Sequence, residues 1–143
     1  MAQSADLLQW SEDYRLGIPA VDQEHRAFFD LVHDIETRLA SGDDPGARTV
    51  LAALRTYAET HFAHEEEFLE RVSYPGLARH RAEHAVFLRD LAALEAAPSV
   101  PTTVTALMAR AWIATHILGT DRRYSRWLDE AEEPPRSAYP SRT

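Results

Sequence analysis

Three spaced pairs and one further histidine carry the chemistry of this sequence. His61 and Glu65 stand four residues apart, His80 and His84 four apart, and His116 and Asp121 five apart, with His25 well upstream. On an α-helix a separation of four turns a side chain by only about 40°, so each of the first two pairs emerges from one face. Imidazoles and carboxylates converging from one face are metal ligands, and a nitrogen and oxygen set without thiolate suits iron or manganese. The chain has no cysteine, which removes disulfides, thiolate ligands and a cysteine nucleophile together.

A lone histidine in an apolar stripe is ordinarily a core residue that has found a partner. Five imidazoles and two carboxylates placed on four helices are different, because buried without cations they would be costly. The set therefore predicts a pair of metal ions inside a helical bundle. One spacing resists the simple account. Residues five apart point about 140° from each other on an ideal helix, so either Asp121 reaches round from the edge of the stripe or a π-type bulge intervenes, which Gly119 would ease.

The remaining polar residues receive plainer readings. His64 has Phe68 four residues on, which cannot coordinate, so spacing selects His61 over it. His33 lies eight residues beyond His25, about 12 Å along a helix. Both are expected at the surface or in a second layer. Glu66 and Glu67 read as a solvated face and a helix-side pair, and Asp22 and Glu24 as acids favoured near a helix N-terminus.

The elements that position these residues follow from periodicity. Residues 1–19 hold Trp10, Tyr14, Leu16 and Ile18, but Gly17 and Pro19 preclude a long helix, so an arm packed over the body is expected. From 20 to about 40, Phe28, Phe29, Val32, Ile35 and Leu39 recur at helical intervals. A second helix is expected from Pro45, capped by Asp44, to about Val72. A third follows Ser73-Tyr74-Pro75-Gly76 and runs to about Ala96, with His80 and His84 inside its apolar stripe. A fourth is expected from about Thr102 to Ala131. Residues 132–143, with three prolines and no periodicity, read as a flexible tail. The fold class is thus all-α: an up-down-up-down antiparallel four-helix bundle over residues 20–131 with an N-terminal arm.

Composition narrows the partners. A chain of 143 residues suffices for one core, and few β-branched residues favour helix. A net charge of −8 argues against nucleic acid; the fifteen basic residues, all Arg, are scattered. No secretory signal pattern and no bilayer-length apolar run is visible, so a cytoplasmic chain with no membrane association is expected. A monomer is expected, with any protein partner docking at the arm or the tail.

These residues resemble the hemerythrin family, specifically its single-domain bacterial members. The family pattern is a histidine on the first helix, His-x-x-x-Glu on the second, His-x-x-x-His on the third and His-x-x-x-x-Asp on the fourth. His25, His61 and Glu65, His80 and His84, and His116 and Asp121 match it. So do Trp10, Gly17-Ile18, Asp22-Gln23-Glu24-His25, Phe62, Tyr74-Pro75 and Tyr124. The resemblance spans roughly residues 10–128 and implies two non-haem iron ions with an oxo or hydroxo bridge.

In that pattern Glu65 and Asp121 bridge the irons, His80, His84 and His116 complete a six-coordinate iron, and His25 and His61 hold an iron with an open position for dioxygen. Dioxygen binds end-on and leaves unchanged, which implies storage, delivery or sensing. Trp112 and Ile113 stand where the family lines its gas pocket with Trp and Leu; here the second is Ile. The ferritin-like Glu-x-x-His signature is absent. Beside oxygen binding stand a peroxidase or nitric oxide reductase using the same centre, for which no acid or base is evident in the pocket, and a module reporting oxygen or iron to a partner.

Overall fold

Pro19 takes the first position of helix α1 (Pro19–Ala40), where its missing N–H costs nothing and its fixed φ is already helical. In the computed structural model, which describes residues 8–130, helices α2 (Ala47–Arg71), α3 (Leu77–Ala96) and α4 (Thr102–Thr115) follow. The chain then passes through a π-helical segment, His116–Asp121, into α5 (Arg122–Glu130). The described residues contain no strand. Short connections turn each helix back on the last, α2 packs on α1, α3 and α4, and α1 also packs on α4. The expected four-helix bundle is the observed one. The fourth helix differs from expectation in being built of three pieces, and Ala131 and the predicted tail lie outside the described residues.

The start of α2 is a correction. Asp44 does not cap the helix and Pro45 does not open it; Gly46 takes the N-cap position with φ +91°. Asp44 Oδ1 instead accepts from the Gly46 N–H at 2.8 Å and from the Thr102 hydroxyl at 2.6 Å. A short carboxylate can close a turn on its own backbone as readily as cap a helix. Here it does the first while tying the start of α4 to the loop before α2.

The arm is pinned at both ends of its described length. Leu8 is buried; its N–H donates to Glu36 Oε1 at 2.7 Å, and His33 Nδ1 bonds its carbonyl at 2.9 Å. Trp10 meets Phe29 edge-on, with ring centroids 5.5 Å apart. Asp22, in the first turn of α1, accepts the Leu16 and Gly17 N–H groups at 2.8 and 3.1 Å, with Gly17 at φ +85°. Leu16 and Ile18 are thereby laid into the core.

Two apolar clusters make that core. One gathers Phe28, Leu54, Phe62, Phe87, Ile113 and Ile117 with their neighbours. The other gathers Ile18, Val21, Phe68, Leu69, Tyr124 and Leu128. Burying each large side chain contributes about 1.5–3 kcal/mol. Several candidate ligands mark the boundary between the two clusters along their helices: His25 between Val21 and Phe28, Glu65 between Phe62 and Phe68, Asp121 between Ile117 and Tyr124. A polar layer is thus sandwiched between two greasy ones and shielded from water on both sides.

Candidate metal centre

The π segment answers the awkward five-residue spacing. Its i→i+5 bonding widens the helix and returns residue i+5 to the face of residue i. His116 Nε2 and Asp121 Oδ1 consequently lie 3.0 Å apart, both buried. A Cβ built on Gly119 would meet nothing within 4 Å, so room for close packing is not what the glycine supplies there.

All seven predicted residues converge, and none is more than 3 % exposed. Their donor atoms form two groups, each with all atoms within 4.8 Å of one another: Glu65, His80, His84 and His116, and His25, His61, Glu65 and Asp121. The carboxylates join the groups. Glu65 Oε1 lies 2.8 Å from His80 Nε2 and 3.0 Å from His84 Nε2, whereas Oε2 faces His61 Nε2 at 3.8 Å. Asp121 Oδ1 lies 3.2 Å from His80 and 3.0 Å from His116, whereas Oδ2 lies 3.1 Å from His25. Each carboxylate therefore offers one oxygen to each side.

His80 Nε2 and Glu65 Oε1 pair as a hydrogen bond, but most of the other neighbours are close without being hydrogen-bonded partners. Both ring nitrogens of His25, Nε2 of His84 and of His116, and both oxygens of Asp121 are buried with no hydrogen bond. Orphaned buried polar atoms are rare, because each costs free energy of order 1–3 kcal/mol. Ligands at right angles around one ion, each about 2.0–2.2 Å from it, stand about 3 Å from one another. That is the spacing found here, so the donors fit cations better than they fit each other.

The electrostatics demand positive charge. Burial pushes Glu65 and Asp121 up, with repulsion from Asp121 adding at Glu65, but the surrounding imidazoles hold both well below the usual carboxylate range. Burial pulls His80 down, yet Glu65 and Asp121 push it up to about 10. His25 and His84 are also raised against burial, the first chiefly by Asp121 and the second by Glu65 and Glu66. His61 goes the other way, because burial outweighs Glu24 and Glu65 there. Protons balance the two carboxylates in the metal-free protein, and cations would take their place.

Around the donors lies a second layer. Glu24, only 2 % exposed, accepts from His61 Nδ1 at 2.6 Å and from His64 Nδ1 at 2.8 Å. Glu66 accepts from His84 Nδ1 at 2.8 Å, and the Tyr124 hydroxyl donates to Glu65 Oε2 at 2.7 Å. Phe62 stacks on the His84 ring at 3.8 Å and Trp112 on the His116 ring at 4.1 Å.

Residues 16–128 match the family described as the hemerythrin HHE cation binding domain. The chain belongs to the hemerythrin family. It is 29% identical over 123 residues to a bacteriohemerythrin of Stenotrophomonas maltophilia, covering 83% of this chain and 80% of that protein. To a myohemerythrin of Theromyzon tessulatum it is 31% identical over 116 residues, covering 81% and 89%. A bacteriohemerythrin of Clostridium acetobutylicum is 27% identical over 124 residues, covering 80% and 96%.

Hemerythrin-like spacing led to the seven donors but not to their supports. Glu66 is more than a solvated face: partly exposed, it spans His84 and Arg81. Glu24 is no mere helix-end acid. Its sequence signals were adjacency to His25 and a place in the Asp22-Gln23-Glu24-His25 match, neither of which points to partners 37 and 40 residues away. His64 does occupy the expected second layer, and His33 serves the arm. Ile113 is fully buried, and Trp112 lies against His116, Phe62 and Phe87. A cleft of about 230 Å³ beside them is lined by Glu83, Val86, Trp112, Thr115, His116 and Thr120. No helix among the described residues is long and apolar enough to cross a membrane.

Proposed function

We propose that this chain holds two non-haem iron ions in the polar layer and binds dioxygen there reversibly. Glu65 and Asp121 would each span both ions, His80, His84 and His116 would serve one, and His25 and His61 the other. The observation that carries the reading is the split of each carboxylate, one oxygen toward each histidine group, among buried donors of which those of His25 and Asp121 and Nε2 of His84 and His116 lack hydrogen bonds. A ferrous pair held by these residues would supply the electrons for reversible dioxygen binding.

The protein's own contribution is to orient and to keep dry. The second-layer carboxylates direct Nε2 of His61 and His84 inward by taking the Nδ1 protons. Phe62 and Trp112 cover the three-histidine group, and Tyr57 stacks over His61 at 5.4 Å. Trp112 and Ile113 are assigned to the gas pocket. Water and protons are the agents that turn reversible binding into irreversible oxidation, so this apolar cover favours release of dioxygen over its reduction. Storage, delivery or sensing follows from that chemistry, in preference to enzymatic turnover.

The test is optical. The protein is loaded with ferrous iron without oxygen, exposed to dioxygen, and then purged with argon. A coloured species that bleaches on purging is expected. Immediate oxidation that purging does not reverse would overturn reversible binding.

A further inference from the structure

Glu24 is a buried carboxylate beside the centre that turns its oxygens to imidazoles and offers none to the two donor groups. Its two oxygens accept from two different imidazoles, Oε1 from His61 at 2.6 Å and Oε2 from His64 at 2.8 Å. A carboxylate only accepts, so Nδ1 of both rings carries a proton. For His61 this leaves Nε2 bare on the side facing Glu65. A free imidazole has no such obligation, and with its proton on Nε2 it could not coordinate until that proton was lost.

We infer that Glu24 is a positioning residue that fixes His61 in its ligating tautomer, with His64 holding the carboxylate in place from the protein surface. The geometry makes the arrangement hard to replace. Glu24 is almost fully enclosed, and its own carbonyl is held by the Tyr57 hydroxyl at 2.7 Å while the Tyr57 ring stacks on His61. The His61 ring is thus clamped from its edge and its face by one group of residues. His64, with its side chain 25 % exposed, reaches solvent on the far side of the same carboxylate. A surface residue that is not a ligand therefore bears on the orientation of one that is.

The inference rests on His61 being an iron ligand, and the experiment separates the two claims. Ferrous iron is titrated, in competition with a chromogenic chelator, into the full chain and into Glu24→Gln and Glu24→Leu. Glutamine can still accept from His61 while its amide donates to His64; leucine fills the space and does neither. Wild type and Glu24→Gln are expected to bind both irons alike. Glu24→Leu is expected to lose 10–100-fold in affinity for one of them.

Nitrogen NMR of the metal-free wild type is expected to show the His61 proton on Nδ1. In Glu24→Gln the His64 proton is expected to move to Nε2, a signature that a purely packing role would not produce. Two irons bound by Glu24→Leu at wild-type affinity, or a His61 proton on Nε2 in the wild type, would overturn the positioning role alone. A wild type that never takes up a second iron would overturn the diiron reading itself, and the inference with it.

Discussion

The two histidine groups share both carboxylates yet are supported in opposite ways. His80, His84 and His116 come from α3 and the π segment, the first two on one face of a single helix. Their aromatic cover is close, and His84 leans on Glu66, a half-exposed acid that Arg81 also contacts at 3.4 Å. His25 and His61 come from separate helices. His61 leans on the enclosed Glu24, and neither ring nitrogen of His25 has a hydrogen bond. In the metal-free protein His80 is raised to about 10 and His84 is raised with it, whereas the second group is divided, His25 raised by Asp121 and His61 lowered by burial. One group is held by a helix and its charges; the other is held by a second-layer carboxylate and, for His25, by whatever cation arrives.

Removing a ligand from the weaker group is the most direct way to break this contrast. His61→Ala is expected to cost one of the two irons and the reversible colour, while circular dichroism keeps nearly full helicity because both apolar clusters remain. Iron per chain measures it, and retention of two irons with normal oxygen binding would remove His61 from the site.

A change that touches neither set of donors comes next. Ile113 is wholly buried between helices, and Ile113→Ala is expected to destabilise by about 2–5 kcal/mol, in keeping with other large-to-small core changes. It should also speed irreversible oxidation of the oxygenated protein, because water gains room. Denaturant midpoints and the decay of the visible band report the two effects, and an unchanged decay would show that Ile113 does not guard the pocket.

The pH response is the mildest and sharpens the contrast. His80 has a folded value of about 10 against an ordinary 6.5. Its charge therefore stabilises the metal-free fold fully below 6.5, and that contribution fades as pH climbs through about 10. His61, lowered by burial, acts oppositely and weakens the fold as acid charges it. Metal-free protein is expected to lose thermal stability between neutral pH and about 10. Iron-loaded protein should hold steady over that range and shed iron in acid, where protons compete for imidazole. Parallel melting curves for the two forms would contradict the proton-for-metal exchange.

Periodicity alone carried a great deal. Apolar residues three and four apart mark all four helices, and four-residue spacings place His61 with Glu65 and His80 with His84, because a helix is a local structure whose faces follow from 3.6 residues per turn. The identities of the seven donors and the absence of thiolate limited the metal for the same reason. At His116 and Asp121 the sequence left two arrangements open, and packing selected the π segment.

What the sequence did not contain are the partnerships between helices. Glu24 with His61, Glu66 with His84, and Asp44 with Thr102 join residues 37, 18 and 58 positions apart. No periodicity links such positions. Which acid meets which imidazole, and which carboxylate oxygen faces which histidine group, depends on how helices lie against one another across a few ångströms, and only the packed bundle decides that.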